Sequence, residues 1–376
     1  MQYSPSRRTA LVLCGTGAHG AYHAGVVRAL QEAGVKIDVV AGQGIGAAAA
    51  MLAAIDGGAR LWDSDGIWRS PQVQRFYRFK LFRWRRRIRR IAGSPLWRML
   101  GAPFDPNPAI DLFSGAVWQL IRGASSETRV PRDAGRKYAE TLAENLGQPG
   151  FRELMIVATD LDSRNDVVAA MLREPYRRDF VAPRQGRERR SEALDLSGLG
   201  RDHAFDIVAA ALTPPVAFEP RLVSFAPDGY WRGETHRLCD RPGSIIRLFE
   251  ELALAGVSQV IVATAVGAAS APHRLRASRL DLRGRLGEFI TASEAATLRD
   301  AGEVARLRFD SFYVVCPSHN PVGPFDFGGA YDEASDRRHS TGELMERGYE
   351  DAYHQFIEPV VGASGDQIVG VSTTRS

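Results

Sequence analysis

Short apolar runs, each ended by a glycine-rich or polar turn and followed by a helical pattern, recur along the first two thirds of this chain. Residues 10–14 form one such run, entering the turn Gly15-Thr16-Gly17 and then a helix. Residues 37–40 form a second, which enters Gly42-Gln43-Gly44-Ile45-Gly46 and an alanine-rich helix over 47–55. Residues 154–160 read as a buried strand closed by a polar turn. Residues 259–264 read as a further buried strand. Strands that are apolar throughout, alternating with helices, predict a mostly parallel sheet covered on both faces. After Pro272 the character changes to a charged helical stretch at 275–302 and an apolar strand at 311–316. A Pro/Gly-rich loop then runs through Gly329, and a C-terminal helix spans 341–361. The organisation expected is a core domain at residues 8–270 with a C-terminal extension, 271–376, to which the pattern assigns no function.

The two glycine turns carry the candidate chemistry. Gly42, Gly44 and Gly46 stand between a strand and a helix with the spacing of a nucleophile elbow, whose outer glycines let the backbone pass closely. The middle position, which holds the attacking serine in such an elbow, is Gly44, and glycine cannot attack a carbonyl. The upstream turn, Gly15 to Gly20, opens a helix, so its backbone N–H groups face outward where an oxyanion or a phosphate can be held. As Gly15-x-Gly17-x-x-Gly20 it also fits a dinucleotide fingerprint, which requires an acid at the carboxyl end of the second strand. The nearby acid is Asp38, inside that strand with Val39 and Val40 still to come.

A glycine-rich oxyanion loop on the first strand, a Gly-x-x-x-Gly elbow and a helix of small residues resemble the patatin-like phospholipases. That resemblance implies a three-layer α/β fold with a mostly parallel central sheet flanked by helices, and assigns residues 8–270 to the family domain. In the family the loop reads Gly-Gly-Gly-x-Arg/Lys-Gly, the elbow Gly-x-Ser-x-Gly, and a distant Asp-Gly-Gly or Asp-Gly-Ala supplies the acid of a Ser-Asp dyad. Here Thr16 and His19 depart from the loop pattern and Gly44 from the elbow, and the third motif is Asp228-Gly229-Tyr230. Carried over by position, Gly15, Thr16 and Gly17 form the oxyanion hole, Gly42 and Gly46 flank the elbow, and Asp228 is the dyad acid. Asp240 in Leu238-Cys239-Asp240 is the fallback, since its distance from the strand at 259–264 suits the family's spacing.

Composition narrows the setting. The chain has 376 residues, 44% of them apolar, enough to bury a large core. Its three cysteines, Cys14, Cys239 and Cys316, are scattered, which argues against a disulfide framework or a zinc site and for a reducing compartment. No metal or cofactor is expected. The apolar run after Arg7 and Arg8 belongs to the first strand rather than to a leader, and the longest apolar run, 39–55, is short for a membrane span and contains Gln43.

The net charge of +4 is unevenly spread: nine of the sixteen residues 75–90 are Arg or Lys. Tyr77, Leu81, Trp84, Ile88 and Ile91 line one helical face among Arg85, Arg86, Arg87, Arg89 and Arg90, while Phe79 and Phe82 fall off it. Such a segment at 75–91 suits an anionic bilayer surface, and equally a helix packed on the domain with solvated arginines. No nucleic-acid partner is expected.

Other reactive groups weigh less. Cys14 and Thr16 are the candidates for a displaced nucleophile, whereas His19 and His23 read as loop or surface histidines. Arg201-Asp202-His203 and Ser318-His319-Asn320 read as loops. The expected function is that of a lipid- or acyl-binding scaffold or interaction protein, cytoplasmic or peripheral to a membrane, which has lost its serine. An active lipid acyl hydrolase with a displaced nucleophile and a nucleotide-binding protein using Gly15 to Gly20 are the alternatives.

Overall fold

Strand residues of this chain bury both faces, which is why their apolar runs are continuous. Alternate side chains divide between two cores. Leu11, Leu13, Val40, Ile156, Ile261 and Ala263 lie in one, and Ala10, Val12, Val39, Ala41, Met155, Val260 and Val262 in the other. Fully burying one of the larger of these side chains contributes roughly 1.5–3 kcal/mol.

The computed structural model describes residues 3–64, 66–70, 77–78, 127–128, 132–182, 193–196, 201–215, 218–225, 227, 230–266, 282–317, 321–322, 324–325, 330–332 and 337–362. Its main sheet has nine strands: β1 (Thr9–Gly15), β2 (Val39–Gly44), β3 (Glu153–Asp160), β4 (Asn165–Met171), β5 (Ala193–Asp195), β6 (Arg221–Ser224), β7 (Thr235–Cys239), β8 (Gln259–Thr264) and β9 (Ser311–Val315). The order is β9-β8-β1-β2-β3-β4-β5, and the first five run parallel. β3 and β4 form an antiparallel hairpin. Strand β2 pairs with β3 only from Val39↔Glu153 to Gly42↔Ile156. Beyond that point β7 pairs antiparallel with β3 through Thr159↔Cys239 and Asp160↔Leu238, and β6 lies outside β7.

The longer helices are α1 (Gly20–Glu32), α2 (Gly46–Ala54), α3 (Arg132–Asn145), α4 (Arg201–Ala211), α5 (Ile245–Leu254), α6 (Leu282–Arg308) and α7 (Thr341–Ala352). Helices α1, α2, α4 and α7 share the core that contains Leu11 and Leu13, while α5 and the end of α6 share the opposite one, giving three layers. At the edge opposite the glycine turns, Arg8 donates from Nη1 and Nη2 to the two oxygens of buried Glu153, at 3.0 and 2.9 Å, and Arg173 Nε donates at 3.0 Å. The sheet thus reaches into the stretch read as an extension, since β9 pairs with β8 from Gln259↔Ser311 to Ala263↔Val315.

Three expectations change. Tyr77 does not begin a helix: Tyr77–Arg78 is a strand paired antiparallel with Glu127–Thr128. The Tyr77 ring is drawn inward onto Phe218 and Phe325, at 5.4 Å from each. The rest of the basic segment, with Trp84, Arg85, Arg86, Arg87, Arg89 and Arg90, lies outside the described residues. Arg201, Asp202 and His203 open α4 rather than a loop, whereas residues 318–320 lie outside the described residues. His19 and His23 are buried, at 1% and 0% exposure, because the turn and α1 are covered by other elements.

Candidate functional site

Parallel strands end together, and here that places the two glycine turns side by side. Gly15 and Gly44 are register partners at the carboxyl ends of β1 and β2, where open α/β sheets present their ligand sites. Gly44 closes β2 with φ +61 and α2 begins at Gly46, so the chain reverses through a left-handed residue. A Cβ at this position would lie 2.2 Å from the Gly15 carbonyl oxygen and 3.1 Å from Asp240 Oδ2. The same Gly15 oxygen accepts the Ile45 N–H at 2.8 Å. In a nucleophile elbow the N–H next after the turn residue serves as an oxyanion donor; here the N–H next after Gly44 is used within the chain.

Asp240 reaches the site because β7 takes over beside β3 where β2 stops. Its backbone N–H donates to Thr213 O at 2.7 Å, and its Oδ1 accepts from Gln43 Nε2 at 2.5 Å. Burial pushes its carboxyl up to about 7, against the Gln43 and Arg241 backbone hydrogen bonds that favour the anion. Asp228 and Gly229 lie outside the described residues.

The upstream turn is occupied by the chain itself. The Ala18 N–H donates to Pro324 O at 2.6 Å, and a Cβ on Gly17, where φ is +63, would sit 1.9 Å from that oxygen. Only a glycine lets this carbonyl approach so closely. A backbone hydrogen bond ties Gly17 to the Tyr77 hydroxyl, which donates to Leu212 O at 3.0 Å. Thr16 Oγ1 donates to Glu294 Oε1 at 2.5 Å.

Glu294 is the site residue that sequence reading missed. It sits in the middle of α6, 7% exposed, and its Oε2 has no hydrogen-bond partner among the described residues. His19 Nδ1 is 3.8 Å from that oxygen. Burial pushes Glu294 up to about 8, with the nearby Asp240 charge acting in the same direction.

The remaining candidates are placed as follows. The Cys14 thiol is buried beneath the turn and pushed up to about 12, first by burial, so it is held as the neutral thiol. Burial lowers the His23 imidazole to about 3, and its Nε2 meets Cys14 O at 3.0 Å. Asp38 lies at the amino end of β2, where its carboxylate accepts the Thr9 N–H at 2.9 Å. It is therefore at the far end of the strands from Gly15 to Gly20. Among the described residues, no group of three His, Cys, Asp or Glu is arranged to hold a metal ion, and no helix is long and apolar enough to cross a membrane.

No curated protein sequence matches the chain. Among solved structures, the crystal structure of VipD from Legionella pneumophila is similar with a TM-score of 0.35 and 14% identity, covering 95% of this chain and 68% of that one. The family model of the patatin-like phospholipases matches residues 11–231. That match takes in both glycine turns and more than half of the sequence, and the chain belongs to the patatin-like phospholipase family.

Proposed function

We propose that this patatin-like protein binds a lipid or acyl ligand, or a protein partner, without hydrolysing it. One observation carries the reading: the residue at the strand-to-helix turn beside the Asp240 carboxylate is Gly44, which has no side chain to attack an ester. Two further features support it. The Ile45 and Ala18 N–H groups, which would stabilise an oxyanion, are spent on Gly15 O and Pro324 O. In this reading Gly44 stands where the family serine stands, Asp240 is the residual dyad acid, and Gly15, Thr16 and Gly17 are the remains of the oxyanion hole. Losing the nucleophile of a serine hydrolase costs on the order of a millionfold in turnover. Purified protein is expected to show neither fluorophosphonate labelling nor a burst with a p-nitrophenyl ester.

A second reading is favoured by the 2.5 Å contact of Thr16 Oγ1 with Glu294, which sets a hydroxyl against a carboxyl in the manner of a displaced dyad. Ester turnover abolished by Thr16→Val or Cys14→Ala would establish that reading and sink the first. The basic segment at 75–91 is proposed as a contact with an anionic membrane surface on its composition alone.

A further inference from the structure

The His236 imidazole has a carboxylate at each end. It stands second in β7 and is 5% exposed. Its Nδ1 lies 2.6 Å from Asp160 Oδ2 and its Nε2 lies 3.3 Å from Glu234 Oε2. Phe225 and Trp231 pack on the ring at steep angles, with centroids 4.9 and 4.5 Å away. Carboxylate oxygens accept, so both ring nitrogens are called on to donate, and only the imidazolium carries two N–H groups.

The two carboxylates are not equivalent. Asp160 ends β3 and is fully buried. Its Oδ1 accepts the Asp162 and Ser163 N–H groups at 2.9 and 3.2 Å, and its Oδ2 also accepts the Ser163 hydroxyl at 2.7 Å. The turn between β3 and β4 thus fixes Asp160 as an acceptor, and a neutral His236 would keep its single proton on Nδ1. Nε2 would then turn a lone pair on Glu234, whose side chain is 65% exposed and can swing into water. Loss of one proton breaks one contact and spares the other. Main-chain pairing joins β7 to β3 at Thr159↔Cys239 and Asp160↔Leu238, continued by the Leu161 N–H to Arg237 O at 2.9 Å. Glu234 closes the loop between β6 and β7: its carbonyl accepts the Phe225 N–H at 2.9 Å, and its own N–H donates to Trp231 O at 2.9 Å.

We propose that His236 is a proton-operated clasp: as the imidazolium it ties Glu234, at the base of the β6–β7 loop, to Asp160 at the end of β3, and as the neutral imidazole it releases Glu234. The charged groups around it are Asp160 and Asp162 from the β3–β4 turn, Glu234 from the loop, and Arg237 beside it on β7, whose N–H and guanidinium both go to Asp162. Burial works against the proton. The hydrogen bonds to Asp160 and Glu234 and the charges of Asp160 and Asp162 outweigh it, and the imidazole is raised above its ordinary 6.5. Stabilisation of the hairpin by the clasp is therefore fully present below pH 6.5 and is lost as the pH rises through the folded value. Strand β7 leads directly into Asp240, so the clasp lies on the strand that brings a carboxyl beside Gly44.

The experiment follows the full chain from pH 5.5 to 8.5 by NMR of the histidine Cε1–H signals and by hydrogen exchange read by mass spectrometry, corrected for the intrinsic rise of exchange with pH. The His236 signal, identified by its loss in His236→Gln, is expected to titrate above 6.5. Across the same midpoint, protection of 221–225 and 231–239 should fall relative to the strands at 10–14 and 259–264, by at most about tenfold per pH unit for one linked proton. In Glu234→Gln the His236 midpoint should move down and the fall in protection should shrink. A His236 signal that titrates at or below 6.5, hairpin protection that keeps pace with those strands at every pH, or a midpoint unmoved in Glu234→Gln would each overturn the clasp. The exchange profile of the wild-type chain needs no variant, so it decides even if the substituted chains fold poorly.

Discussion

Gly44→Ser tests the elbow directly, because the two costs it incurs are set by the geometry. Gly44 holds φ +61, a region in which a residue with a side chain loses roughly 1–2 kcal/mol. The new Cβ would also lie 2.2 Å from Gly15 O, well under the 3.0 Å that Cβ atoms respect, and that oxygen is backbone rather than the end of a flexible side chain. Gly15 O must therefore withdraw from the Ile45 N–H it now accepts at 2.8 Å, costing about 1 kcal/mol more, with further strain in the β1–β2 pairing. The sum is about 2–4 kcal/mol. At roughly 2 °C per kcal/mol for a chain of this size, the melting temperature should fall by about 4–8 °C in a calorimetric scan. Gly150→Ser is the control, since Gly150 has φ +89 and nothing within 4 Å of its Cβ position, so it carries the backbone cost alone. If Gly44→Ser loses no more than Gly150→Ser, the Gly15 carbonyl is not pinned between Gly44 and the Ile45 N–H, and the proposal that this N–H is spent on it is refuted.

Two further outcomes follow from the charges. Asp240 and Glu294 bind protons more tightly folded than unfolded, with values of about 7 and about 8 against ordinary 3.8 and 4.5. Their contribution to stability therefore falls as pH rises from about 4 to 8, by at most about 1.4 kcal/mol per unit for each group. Glu294→Gln should flatten the decline of melting temperature between pH 5 and 8, and an unchanged slope would show that Glu294 ionises freely in the folded chain. Replacing Arg85, Arg86, Arg87, Arg89 and Arg90 with Gln should release the protein from phosphatidylserine vesicles at low salt, each charge near the surface contributing about 1 kcal/mol. Unchanged sedimentation of that variant would return the segment to a packing role.

What could be read from the sequence was what is local. The strands at 10–14, 37–40 and 259–264 declare themselves because parallel interior strands are buried on both faces and need no alternation. The turn at Gly44 is legible because a left-handed residue between strand and helix selects glycine at fixed offsets. Asp228 stands before Asp240 in the sequence reading because Asp-Gly is a local signal, and Asp228 lies outside the described residues. What brings Asp240 to Gly44 is nonlocal: the pairing Thr159↔Cys239 and the bond from its N–H to Thr213 O. His19 and His23 read as exposed because nothing in their neighbourhood shows that Met345 and Leu344 of α7, or Pro324, would cover the turn and α1. Tyr77 fits a helical stripe by spacing, yet its partners in space are Phe218 and Phe325.

Glu294 had no signal at all, and the reason bears on how the chain is organised. The family match ends at residue 231, but Asp240, Glu294 and Pro324 all lie beyond it. Helix α6 brings Glu294 over the turn with Pro324 packed at Gly287 of the same helix, where a Cβ would lie 3.0 Å from the proline ring. Immediately after α6, β9 adds to β8 and covers Val260 and Val262, which would otherwise stand at an open apolar edge. The same short stretch thus finishes the sheet and places both a carboxyl and a carbonyl at the glycine turn. A side chain at Gly44 would have to share that space with Gly15 O and Asp240, and one at Gly17 with Pro324 O. Gly17 and the Pro324 carbonyl therefore specify each other: the glycine leaves the space into which that oxygen packs, and the oxygen accepts the Ala18 N–H beside it.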